Sequence, residues 1–212
     1  MKIAENLTIN DWNKLIERLS PDNDTDWEIA FQFFEKRTAS RYLLPINILL
    51  DNGEDKGEGF AIVNLQCSLI ETIESFYNGW IYNNNEFCKS DGLTKAGIVN
   101  GDIFISFFNS REPFKSSIPK INGNDFYKNV RCGLLHETQT KNGWKISSNA
   151  EKSYDEIPET STRTEKIINR TLFQRDLETA INIYRSEILH GTNKKELREF
   201  FIRKINNICN IS

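Results

Sequence analysis

Arg131-Cys132-Gly133-Leu134-Leu135-His136 places a permanently charged guanidinium and an imidazole five residues apart. Arginine offers a planar fork of N–H donors that matches phosphate oxygens. Histidine is the side chain whose unperturbed pKa lies nearest neutral pH, so it can take or give a proton there. Together they form a kit for cutting RNA without metal: one group neutralises the phosphate and the other moves the proton. The chain has two histidines in 212 residues, which leaves few places for such chemistry. The second, in Arg185-Ser186-Glu187-Ile188-Leu189-His190, has the same spacing.

The element that must position the first pair runs from Phe126 to about Glu137 and reads as a helix. Residues five apart on an ideal helix diverge by about 140°. Arg131 and His136 therefore converge only through the long arginine side chain, a loosened turn near Gly133, or a second subunit. Phe126, Val130 and Leu134 share one face and anchor the helix in the core. Asn129, Cys132, Gly133 and His136 form a stripe of small or polar residues that leaves room beside the imidazole. Cys132 itself reads as a small packing residue. Asn129, Lys128 and Lys141 are candidate substrate-binding residues, and Lys145 adds further positive charge. The spacing alone fits equally well a helix-terminal histidine favoured by the helix dipole, beside an ordinary surface arginine. The Arg185…His190 pair is crowded by Tyr184, Ile188 and Leu189, and His190 before Gly191 reads as a C-terminal cation.

The rest of the chain also reads as mostly helical. Trp12, Leu15, Ile16 and Leu19 fit a short first helix capped by Thr8 or Asn10. A second follows Asp22 to Asp26, where Thr25 and Glu28 form a capping-box pattern. A helical stretch through Tyr42 and Leu43 meets Pro45, which should kink or break it. Residues 51–59 read as a polar, glycine-rich loop. From Phe60 to Asn78 the residues Ile62, Leu65, Leu69, Ile73 and Phe76 make a buried stripe ended by Gly79. Asn83 to Asn85 mark a loop, and Ile103 to Phe108 is apolar but too short to assign by periodicity. Gly143 to Ser147 alternates like a strand that Tyr154 to Ile157 pairs with. Ile168, Leu172, Leu177, Ile181, Tyr184 and Ile188 place a long amphipathic helix over 165–189, ended by Gly191. Leu197, Phe201, Ile205 and Ile208 give a last helix. No repeat or linker divides residues 1–212, so one domain is expected.

The totals exclude several classes. The net charge is −3, which argues against coating nucleic acid through a bulk positive field. Its distribution is uneven. Residues 1–110 hold 9 Lys+Arg against 17 Asp+Glu, and residues 111–212 hold 18 against 13. The half with the Arg131…His136 pair is the basic one, which would steer an anionic substrate to it. Cys67, Cys88, Cys132 and Cys209 lack metal-ligand spacing, so no metal and no cofactor is expected. Scattered thiols, with neither a signal peptide nor a membrane-spanning run, read as reduced and cytoplasmic. Asp22, Asp24 and Asp26 mimic the start of a calcium loop, but Trp27 and Phe33 stand where the loop needs glycine and glutamate. Gly57-Glu58-Gly59 lacks the third glycine of a dinucleotide fingerprint. Asp51, Glu54 and Lys56 lie in a loop too flexible for a magnesium nuclease site.

The block Arg131 to His136 resembles the signature of the HEPN superfamily, an arginine, four to six residues, then a histidine. Arg41 to Ile46, Gly57 to Ala61 and Leu69-Ile70-Glu71 are similar to blocks in uncharacterised bacterial HEPN-like proteins, and the likeness spans roughly residues 37–205 in outline. The resemblance implies a mainly α HEPN-like helical bundle, here with a small β-hairpin insertion. It implies a homodimer whose motifs meet in a cleft. It implies RNA as substrate, metal-independent endoribonuclease activity, and a toxin–antitoxin or antiphage role with an antitoxin or defence-system partner. Carried over, His136 is the general acid or base and Arg131 holds phosphate. The residue after the motif arginine is often Asn, Asp or His in active members and is Cys132 here. A non-catalytic HEPN-like module that binds RNA, a nucleotide or a partner protein is the second reading, and a helical scaffold without a site the third.

Overall fold

Thr8 starts the first helix by a reciprocal cap. Its Oγ1 accepts from the Asp11 N–H at 3.3 Å, and its own N–H donates to Asp11 Oδ2 at 2.8 Å. Two of the N–H groups that a helix start leaves open are satisfied in this way. The computed structural model describes residues 2–54, 56–83, 86–88, 100–158 and 164–211. The chain is mostly helical with small sheets, and it groups into two compact units, each built from several stretches of sequence.

The first unit takes residues 1–45, 73–97 and 182–212. It opens with β1 (Lys2–Ala4) antiparallel to β2 (Leu7–Thr8), followed by α1 (Ile9–Ile16) and α2 (Trp27–Thr38). Thr25 does not cap α2. Asp26, at φ 67°, occupies the cap position without a side-chain hydrogen bond, and its carboxylate pairs with Arg18 at 2.8 Å. Asp22 pairs with Lys195, and Asp24 with Lys194 and Arg198. The acidic run is thus spent on ion pairs rather than on capping.

Pro45 does not break the chain's helical path. A wide π turn over Ala39–Leu43 directly precedes α3 (Leu44–Asn52), whose second residue is Pro45. The proline ring would clash with the carbonyl four residues back, and a wide turn is one way of making room for it. Further along, β3 (Ile81–Asn83) pairs with β4 (Glu86–Cys88). Asn83 therefore lies in a strand, and Asn84 and Asn85 fall outside the described residues. An aromatic cluster forms the core: Phe34 meets Phe76 edge-on at 4.8 Å, and Phe31 stacks on Phe201 at 6.0 Å. Trp12 and Trp27 are fully buried beside them. The last helix of the unit is α9 (Lys194–Cys209).

The second unit takes residues 46–72 and 98–181. The helix α4 (Glu58–Asn78) supplies residues as far as Thr72, and α8 (Arg170–His190) as far as Ile181. Gly79 follows α4 at φ +62°, the expected stop. Ile103 to Phe108 belongs to α5 (Asn100–Ser110), whose Ile103, Phe104, Phe107 and Phe108 are buried at helical spacing. They pack with Phe114, Phe126 and Phe173.

The expected hairpin is not formed. Between β5 (Trp144–Ser147) and β6 (Tyr154–Pro158) lies a third strand, β7 (Thr164–Asn169), parallel to β5 and antiparallel to β6. The long amphipathic helix accordingly starts at Arg170 and not at Glu165. Asn169 ends the strand and caps the helix, its Oδ1 accepting from the N–H groups of Thr171 and Leu172 at 3.0 and 3.1 Å. Ile168, assigned by its spacing to the helix stripe, is a buried strand residue opposite both Ile146 and Tyr154.

Candidate active site around Arg131

The segment carrying Arg131 and His136 has three parts. Asn122 caps α6 (Gly123–Phe126) through the Asp125 N–H at 3.0 Å. A π turn follows over Tyr127–Arg131, and then α7 (Cys132–Glu137), which ends at Thr138 in the left-handed region. The loosening expected near Gly133 falls just before it, and Arg131 closes the wide turn. Single π turns inside helices occur frequently at functional sites.

Arg131 reaches Glu71 of α4, its Nε donating to Oε1 at 3.0 Å. Its guanidinium lies 5.9 Å from the centroid of the Tyr127 ring, within cation–π range. Both partners are about four-fifths covered, with 21% and 20% of their side chains exposed. Burial raises the Glu71 carboxyl above its ordinary pKa, and Arg131 offsets this only in part. Burial alone would lower the Arg131 guanidinium, but Glu71 more than compensates, so the arginine stays charged.

The signal for Glu71 was present in the sequence. Residues 59–70 of α4 contain no charged side chain, so Glu71 is the first charge after Glu58 on a largely buried helix. A carboxylate in that position needs a partner. Cys67, one helical turn earlier, is buried, and burial raises its thiol far above the ordinary range. Among the described residues Cys67, Cys132 and Cys209 form no disulfide.

His136 sits exposed in the last turn of α7, where a cation is favoured by the helix dipole. The small-residue stripe does not make a ligand space beside it. A Cβ on Gly133 would lie 2.5 Å from the Gln139 carbonyl oxygen, so the chain after Thr138 fills that room. Asn129 is buried rather than presented to a ligand. Its Nδ2 donates to Asp125 Oδ1 at 2.8 Å and its Oδ1 accepts from Asn142 Nδ2 at 2.7 Å. Its carbonyl also takes the Lys141 N–H at 2.9 Å.

The lysines around the motif are mostly neutralised. Lys141 pairs with Glu137 at 3.0 Å, Lys145 with Glu165, and Lys166 with Asp125 at 2.6 Å. Lys128 is exposed on the π turn. Asp125, whose place in the sequence carries no signal of it, joins the motif helix to the sheet. Its carboxylate also accepts from Trp144 Nε1 at 2.9 Å. Burial works against its charge, but Lys166, Trp144 and Asn129 outweigh burial and lower its pKa.

The second pair lies in the first unit. Arg185 pairs with Glu28 at 3.4 Å and Glu35 at 3.3 Å, and His190 is exposed at the end of α8 before Gly191. Tyr184, Ile188 and Leu189 are buried around them, as their residue types suggest.

Compared with family models, with curated proteins and with solved structures, the chain matches none. No helix among the described residues is long and apolar enough to cross a membrane.

Proposed function

We propose that the chain is a HEPN-like, metal-independent RNA endonuclease that acts as a homodimer. What supports the reading most is the fixed Arg131, held by Glu71 and Tyr127 on the same short helical segment whose last turn exposes His136. In the proposed reaction the 2′-OH of the RNA attacks the adjacent phosphorus and the 5′-oxygen leaves. The products are a 2′,3′-cyclic phosphate and a 5′-hydroxyl. His136 moves a proton at the attacking or leaving oxygen. Arg131 turns its remaining N–H groups to the phosphate oxygens, where negative charge grows. Since the two side chains diverge along one helix, a two-fold assembly that brings both copies of the motif together completes the site.

The experiment is digestion of mixed RNA by purified protein in excess EDTA. Cutting should persist, and a substrate with a 2′-deoxy sugar at the cut position should resist. Equal cutting of the deoxy substrate refutes the 2′-OH mechanism. A second reading, a HEPN-like module that binds RNA, a nucleotide or a partner protein without cutting, is favoured by the neutralisation of Arg131 by Glu71 and by the buried, committed Asn129. RNA retained on the protein but left intact selects it.

A further inference from the structure

A cavity of about 340 Å³ in the second unit is lined by Gly57, Gly59, Phe60, Ile146, Ser147, Ser148 and Arg170. It involves neither Arg131 nor His136. Its size is at the small end of cavities that hold a nucleotide-sized ligand. Among the described residues of that lining, Arg170 is the one charged side chain. Glu58, which does not line the cavity, holds the Arg170 Nη2 at 3.2 Å, and both side chains are nearly buried. The arginine is therefore fixed in place rather than free to sweep solvent.

The approach of Arg170 explains one of the two glycines. A Cβ on Gly59 would stand 2.9 Å from Arg170 Nη1 and 3.2 Å from Ile146 Cγ2, so any larger residue displaces the guanidinium. Ser147 adds a donor. Its Oγ already accepts the N–H groups of Asn149 at 3.0 Å and Ala150 at 3.1 Å, which leaves its hydroxyl hydrogen to donate. The described polar side chains of the lining, Arg170, Ser147 and Ser148, thus carry N–H and O–H groups and no carboxylate, a set whose chemistry suits an anion. Phe60, an aromatic residue 42% exposed, supplies the other half of a recognition surface. Bases stack on such rings with little regard to their identity.

We propose that this cavity binds one nucleotide unit, its base stacked on Phe60 and its phosphate held by Arg170 with the Ser147 and Ser148 hydroxyls. The proposal stands apart from RNA cleavage at Arg131 and His136. It applies to a free nucleotide or to one residue of a strand, since the recognised chemistry is the same.

The test is calorimetric titration of the full chain with AMP, with adenosine, and with a short 2′-O-methyl oligoadenylate that cannot be cut through its 2′-oxygens. AMP should saturate one site, and adenosine, lacking the phosphate, should bind at least about tenfold more weakly. Phe60→Leu should weaken AMP by about tenfold through lost stacking, and Gly59→Ala should weaken it by moving Arg170. His136→Ala should bind AMP as the parent chain does, so failure of the cleavage mechanism leaves this result standing. An oligonucleotide whose affinity falls with Phe60→Leu as that of AMP does shares this cavity and assigns it to a strand; one whose affinity Phe60→Leu leaves unchanged binds elsewhere and assigns the cavity to a free nucleotide. The proposal is overturned if AMP fails to saturate, if adenosine binds as well as AMP, or if Phe60→Leu leaves AMP affinity unchanged. Phe60 is exposed at the cavity rim, so Phe60→Leu decides the matter even if Gly59→Ala does not fold.

Discussion

Lys204 lies inside the first unit with its Nζ donating to the Trp80 carbonyl at 2.7 Å. Burial, with a smaller contribution from Arg37, lowers its pKa from 10.5 to about 8. Each tenfold change in a proton equilibrium corresponds to about 1.4 kcal/mol. The buried charge therefore costs the folded state about 3 kcal/mol at neutral pH. The sign follows from where the proton sits. Below about pH 8 Lys204 is charged in both the folded and unfolded chain, and the whole cost is present. Between about pH 8 and 10.5 the folded chain has released the proton and the unfolded chain still holds it, so stability from this group rises with pH. Above 10.5 both are neutral and the cost is gone. Lys204→Met removes the titration. Urea unfolding of both proteins at pH 7 and pH 10 should show the stability difference between them shifting by about 2 to 3 kcal/mol, with the variant relatively better at pH 7. Constant contributions, including the lost hydrogen bond to Trp80, cancel in that comparison. A difference that stays level across this range refutes the reasoning.

Three further outcomes are expected. His136→Ala should abolish RNA cleavage with little change in melting temperature, while His190→Ala should leave cleavage largely intact; the reverse pattern, read by gel assay, moves the site to Arg185 and His190. Gly133→Ala should destabilise the second unit by about 1 to 3 kcal/mol, because its Cβ meets the Gln139 carbonyl, and a melting temperature equal to the parent's would contradict that packing. Asp125, with its lowered pKa, contributes stability above the ordinary carboxylate range and loses it as pH falls through its folded value. Asp125→Asn should flatten the acid limb of the stability profile, and an unchanged limb would show that its pairing with Lys166 has no linkage to folding.

The parts of the fold legible in the sequence are those where one helix face meets one core. The stripe Ile62, Leu69, Ile73 and Phe76 on α4 is buried as its spacing requires, with Leu65 half-buried beside it. Thr8 caps α1, and α8 stops at His190, just before Gly191. The strand β7 was hidden because Ile168 continues the apolar spacing of α8 backwards, and only pairing with two strands distant in sequence decides otherwise. At the candidate site, chain order correctly put Arg131 and His136 on one helical segment. It did not give Glu71 as the partner of Arg131, because that contact joins residues sixty positions apart. Nor did it show that Asn129 and Gly133 are occupied by the segment 139–142, since small and polar residues look alike whether they border a ligand or a loop.

The wide turn at Tyr127–Arg131 separates two quantities that a sequence motif treats as one, the count of residues and the direction in which a side chain leaves the helix. Removing a single residue upstream of Arg131 would leave arginine, four residues and histidine intact on paper. It would also tighten that turn toward an ordinary α-helix and swing everything after it around the axis, taking the guanidinium off Glu71. A letter-for-letter match to the motif would survive in a chain whose arginine no longer points at its partner. For chains of this kind, the residues before the arginine carry as much of the specification as the arginine and histidine themselves.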